Sequence, residues 1–151
     1  MCKGTVHMNN QRLSQTDWHC LYHLAFVPRV KTIGAYHMVK HEVAAILQML
    51  CRGLGVDVLL LETGQDYVYM RLSIPPWRSA LRVAQHLKDA SSAELLRRYP
   101  GLAPAPLSPA FWIDGCLLDT RMPSKQVMQT YISKRLQTDW AAECRCAADS
   151  V

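Results

Sequence analysis

The segment from Trp18 to Val27, closed by Pro28, constrains the fold more than any other stretch of the chain. Successive side chains of an extended backbone point to opposite faces. Trp18, Cys20, Tyr22, Leu24 and Phe26 therefore share one face, and His19, Leu21, His23, Ala25 and Val27 share the other. Both sets are mostly apolar, which predicts a central strand covered on both sides. Pro28 has no N–H with which to continue the pairing. Such a strand requires a sheet with further layers packed on it.

The rest of the chain supplies those layers. Tyr36 to Leu54 predicts a helix, because Val39, Val43, Ile46, Leu47, Leu50 and Leu54 fall at three- and four-residue spacing. Gly53 and Gly55 can stop it. His37 and His41 lie four apart on the opposite face with no third ligand in view, which favours a solvated face over a metal pair. Val56 to Leu61 predicts a second strand, Glu62-Thr63-Gly64-Gln65 a turn, and Tyr67 to Ile74 a third strand. Val68, Met70, Leu72 and Ile74 would face the core, with Tyr67, Tyr69, Arg71 and Ser73 on the other side. Pro75-Pro76 blocks further pairing. A second helix is expected from Ser79 to about Tyr99, with Leu81, Ala84, Leu87, Leu95 and Leu96 inward and Arg78, Arg82, Lys88, Arg97 and Arg98 making it the most basic element.

Pro100, Pro104, Pro106 and Pro109 mark a semi-rigid loop. Phe111 to Asp119 predicts a fourth strand, and Pro123-Ser124 opens a last helix reaching about Trp140. The order β-α-β-β-α-β-α predicts an α+β fold: a ferredoxin-like split β-α-β with a four-stranded antiparallel sheet, helices on one face, and a C-terminal helix. Residues 1–12 read as a polar tail, 13–140 as one domain and 141–151 as a second tail.

Lys and Arg number 17 against 12 Asp and Glu, a net charge of +5 that suits a polyanionic partner without demanding one. No apolar run reaches the roughly 18 residues of a membrane span. Met1 to His7 lacks the apolar core of a secretory signal, so a cytoplasmic location is expected. The 6 cysteines contain no CxxC pair, and Cys144-Arg145-Cys146 reads as part of a frayed tail; reduced thiols are the expectation.

Several segments together resemble the insertion-sequence-200-type, single-tyrosine HUH transposases. Thr16 to Pro28 is similar to their opening strand, and Asp66 to Pro76 to their metal-site strand with its double-proline exit. Leu87-Lys88-Asp89-Ala90-Ser91-Ser92 resembles their Leu-Lys-Gly-x-Ser-Ser, and Phe111-Trp112-Ile113-Asp114-Gly115 their Phe-Trp-x-x-Gly, followed by Asp119-Thr120. Gln129-Thr130-Tyr131-Ile132 resembles the turn that carries the nucleophile. The likeness runs from about Gln15 to Asp139.

The resemblance implies single-stranded DNA cleavage and rejoining, in which a tyrosine attacks a backbone phosphate and is joined to the 5′ phosphate. A divalent cation, magnesium or manganese, would neutralise charge on that phosphate. Two histidines and a Gln would hold the ion, and a homodimer would recognise imperfect DNA hairpins. Carried over, the nucleophile position is Tyr131, the histidine positions are Tyr67 and Tyr69, and the Gln position is Arg135. A neutral phenol is a poor ligand for a hard ion, and an arginine repels one. No metal cofactor is therefore expected.

Arg135 could instead grip phosphate through a forked pair of hydrogen bonds. Arg29, Lys31, Arg78, Arg82, Lys88 and Arg135 are the candidate nucleic-acid contacts. Tyr67 and Tyr69 could stack bases, although filling the space of a lost metal site is the preferred reading. The expected function is binding of structured single-stranded nucleic acid, hairpin DNA first and RNA second, without metal-dependent cutting. The alternatives are an active transposase working through Tyr131 and a decaying copy, the latter disfavoured by the orderly core patterns.

Overall fold

A computed structural model of the chain describes residues 4–5, 19–102 and 111–149. The strands are β1 (Gly4–Thr5), β2 (His19–Phe26), β3 (Asp57–Thr63), β4 (Val68–Ile74) and β5 (Leu117–Asp119). The helices are α1 (Ile33–Met38), α2 (Lys40–Leu54), α3 (Ala80–Arg98) and α4 (Lys125–Asp149). All strand pairs are antiparallel. β4 runs along one edge of β2 from Cys20↔Ile74 to Phe26↔Val68, and β3 closes the far side of β4. β1 and β5 share the other edge of β2, β1 at its start and β5 at His23–Ala25. The order β5-β2-β4-β3 is the expected ferredoxin-like sheet, with β2 central.

Alternation settles which residues face α2 and α3. Leu24, Phe26, Val68, Met70, Leu72 and Ile74 are buried on the helix side, against Val43, Ile46 and Leu47 of α2 and Val83, Ala84 and Leu87 of α3. This is the core face expected from the sequence. Ser79 Oγ accepts from the Arg82 N–H and so caps α3. Gly55 closes α2 with φ +70°, a conformation that favours glycine.

Several expectations are corrected. The first helix is broken at Val39 (φ −115°, ψ 22°), so His37 and His41 lie on different helices. Tyr36, fully buried, fixes α1 by donating its hydroxyl to the carbonyls of Gly64 and Tyr67 at 2.9 and 2.7 Å. Leu81 is not a core residue but 64% exposed, and Val83 takes the inward position. β3 is an edge strand with an irregularity between Val58 and Leu60, which leaves Leu59 and Leu60 open despite their apolar character.

The fourth strand is shorter than expected. Residues 111–113 touch the sheet through a Pro28↔Trp112 bridge, the chain turns at Gly115 (φ +83°), and only Leu117–Asp119 pairs in β5. Gly4–Thr5, in the stretch read as a polar tail, adds a short strand, and α4 continues well past Trp140. Trp18 and most of the proline-bearing loop lie outside the described residues. Cys20 is disulfide-bonded, against the expectation of reduced thiols, while Cys51, Cys116 and Cys144 are free. Among the described residues no helix is long and apolar enough to cross a membrane.

Candidate functional site

The site is built around a lock between α3 and the segment from Phe111 to Gly115. Ser91 Oγ accepts from the Trp112 indole N–H at 2.9 Å, and Ser92 Oγ accepts from the Phe111 N–H at 2.8 Å. Lys88 Nζ donates to the carbonyls of Ile113 and Gly115, both at 2.7 Å. Phe111 and Trp112 are buried, and Thr32 Oγ1 donates to the Phe111 carbonyl from the other side. Two segments singled out separately in the sequence thus hold each other. Lys88 is only 5% exposed, and burial pulls its ammonium below the usual lysine range, with nearby Cys116 and Asp114 opposing. The reading of Lys88 as a phosphate contact is therefore corrected: it is a buried tie between backbone carbonyls.

The last helix lies over the end of the sheet. Ser124 Oγ accepts from the Val127 N–H, which starts α4 as the sequence suggested. Ile132 packs with Val27 and Ile113 in a small apolar cluster bordered by Tyr67, Met128, Tyr131 and Leu136. Further along, buried Asp139 accepts from the Val30 N–H at 2.8 Å and from Arg29 at 3.2 Å. Arg29 also lies 3.8 Å from Asp114. Its charge is thus engaged in holding α4. Lys31 is exposed in the adjoining 3₁₀ turn.

Tyr131 and Arg135 come together as their spacing implies. The Arg135 guanidinium carbon sits 5.5 Å from the centre of the Tyr131 ring, a cation–π arrangement. Burial raises the Tyr131 pKa, and Arg135 opposes the rise. Gly115 lies under the guanidinium: a Cβ there would stand 3.2 Å from an Arg135 nitrogen. The α3 lock therefore sets the floor on which Arg135 rests.

Tyr67 and Tyr69 are each committed to a neighbour. Tyr67 Oη donates to Glu62 Oε1 at 2.7 Å, and this bond, with burial, pushes its pKa up to about 12. Tyr69 is 6% exposed, and its Oη lies 2.6 Å from Nδ1 of buried His23. Burial lowers the His23 pKa and raises that of Tyr69, so both remain neutral and the phenol donates to Nδ1. Beside the tyrosines and α4 lies a cavity of about 330 Å³. Met122, Pro123, Met128 and Ile132 give it apolar walls, and Glu62, Lys125 and Gln129 give it polar groups.

A family described as "Transposase IS200 like" matches residues 16–135. The chain belongs to the IS200-like transposase family. It is 30% identical over 135 residues to the transposases for insertion sequence element IS200 of Salmonella typhimurium and Salmonella typhi, covering 89% of this chain and of each relative. A crystal structure from Deinococcus radiodurans, provisionally described as a transposase, superposes with a TM-score of 0.69 at 21% identity. That likeness covers 85% of this chain and 98% of the other and concerns the fold.

The donor set of this transposase-family chain does not suit the divalent ion that the resemblance implies. One phenol is held protonated against a carboxylate, the other is spent on a histidine, and the third position is a cation. Among the described residues no three His, Cys, Asp or Glu side chains converge on a common point. Arg78 and Arg82, in contrast, line an open groove at the start of α3 with Leu54, Trp77 and His86. Trp77 is 64% exposed.

His23 and Asp139 are the structural residues of the site that the sequence reading missed. His23 stands on the β2 face shared with Tyr69 of β4, and the alternation that assigned the faces would have exposed the pair once the register was known. Asp139 carried no comparable signal, because its partners lie on a distant turn.

Proposed function

We propose that this transposase-family protein binds structured single-stranded nucleic acid, hairpin DNA first, without metal-dependent strand cleavage. The observation that carries this reading is the internal pairing of Tyr67 with Glu62 and of Tyr69 with His23. Each hydroxyl has a protein partner, so recruiting it to an ion would break a bond already made. A phenolate would be needed for strong coordination, and the Tyr67 pKa of about 12 opposes one at neutral pH.

Binding retains support on two surfaces. Arg78 and Arg82 flank an exposed tryptophan, a combination suited to phosphates beside an accessible base. Arg135 offers its guanidinium next to Tyr131, where a forked contact can hold a phosphate. A homodimer, a domain spanning 13–140 and a cytoplasmic setting belong to the same reading, with RNA as the second ligand class.

The retained Tyr131 supports one competing reading, an active transposase forming a covalent tyrosine–5′-phosphate bond. The two separate in one experiment. Hairpin DNA with single-stranded flanks is incubated with the protein and magnesium or manganese, then resolved on denaturing gels, while affinity is measured with and without EDTA. The expected outcome is unchanged affinity in EDTA and no cut strand or protein–DNA adduct. An adduct that disappears in Tyr131→Phe would establish the active enzyme instead.

A further inference from the structure

We propose that the cavity beside Tyr67 and Tyr69 receives one unpaired nucleobase of the bound strand, with Tyr67 as its stacking platform. This deepens, and rests on, the nucleic-acid reading given above. The cavity adjoins the helix face carrying Tyr131, since Met128, Gln129 and Ile132 line it from α4. A strand whose phosphate meets Arg135 would therefore bring a neighbouring base to its mouth.

The platform is held before any ligand arrives. The Tyr67 ring lies directly over Gly64, where an added Cβ would overlap the ring atoms. The Gly64 N–H donates to the Tyr67 carbonyl at 2.8 Å, and the buried Tyr36 hydroxyl binds the carbonyls of both residues. The Glu62 bond then fixes the far end of the ring. Glycine at 64, Tyr36 below and Glu62 at the tip together remove the freedom that stacking would otherwise have to quench.

The lining selects a base over a phosphate. Met122, Pro123, Met128 and Ile132 offer apolar contact to a flat ring, whereas a phosphate buried among them would lose its hydration and meet the Glu62 carboxylate. Glu62 can accept from an exocyclic amino group, and Gln129 and Lys125 can donate to ring nitrogens or carbonyls. The volume, about 330 Å³, lies in the range of small-ligand pockets.

The test is a thermodynamic cycle between protein and DNA. A DNA hairpin with a mixed-sequence single-stranded flank is prepared with an abasic site at each flank position in turn. Affinity is measured for wild type, Tyr67→Phe and Tyr67→Leu, each checked for cooperative thermal unfolding. One flank position should weaken wild-type binding about tenfold when abasic. The same lesion should still weaken Tyr67→Phe, by somewhat less because the Glu62 bond is lost, and leave Tyr67→Leu unaffected, because the stacking partner is already gone.

Tight wild-type binding with no abasic position coupled to Tyr67 overturns this proposal and leaves the binding function standing. So does a shift in monomer–dimer balance in Tyr67→Leu without such coupling, which would give the cavity to a second copy. Wild-type protein that binds neither hairpin nor flank overturns both readings.

Discussion

His23 shows how one buried side chain can make the stability of a fold sensitive to pH. Burial is the main cause of its lowered pKa; Arg71 across the strand adds to the effect, and Asp119 opposes it. The unfolded chain then binds more protons than the folded one in the interval between the lowered value and the ordinary 6.5. The His23–Tyr69 pair therefore contributes its full stability above that ordinary value and loses it as pH falls through the folded one. Urea unfolding across this interval should show wild-type stability declining with acidification and a flatter profile in His23→Gln. Parallel profiles would remove the pair from the account. At this scale the sequence displayed the candidate positions plainly, the substituted Tyr67, Tyr69 and Arg135 and the retained Tyr131, because each is read from its own short motif. It did not display their partners, because Glu62, His23 and Gly115 meet them only through strand register and helix docking.

At the scale of elements, the lock between α3 and residues 111–115 replaces regular strand pairing. Apolar alternation predicted a strand from Phe111, and the apolar residues are indeed buried, but their backbone groups are satisfied by Ser92, Thr32 and Lys88 as well as by Val27 and Arg29, just past the end of β2. Periodicity reports burial and leaves open which partner accepts each backbone bond, which is why the core was legible and the strand boundary was not. Replacing Lys88 with Met keeps the aliphatic stem and strips the buried Ile113 carbonyl and the part-buried Gly115 carbonyl of their donor. An unmet buried group costs about 1–3 kcal/mol. Calorimetry should show Tm falling by about 2–4 °C for every kcal/mol lost. An unchanged Tm would mean that the carbonyls find other donors. Lys88 itself illustrates the limit of charge counting: a cation in a basic helix read as surface until the fold placed it inside.

For the whole molecule, the net charge of +5 overstates what reaches a polyanion. Arg29 is engaged by Asp139, Lys88 is enclosed, and Arg97 and Arg98 share Glu94. Among the described residues, Arg78, Arg82 and Arg135 are exposed and have no carboxylate within ion-pair distance. Salt titration of hairpin binding should reflect this division. Arg135→Gln should flatten the slope of log K against log salt by about 0.7–0.9, the double variant Arg78→Ala with Arg82→Ala by about twice that, and Arg97→Ala should leave it unchanged. A slope unaltered by all three would place the polyanion elsewhere. The fastening of α4 through Asp139 to Val30 and Arg29 has a wider consequence. It moors the helix carrying Tyr131 to the turn that follows β2, so a change at Asp139 would reach the tyrosine from about two helical turns away.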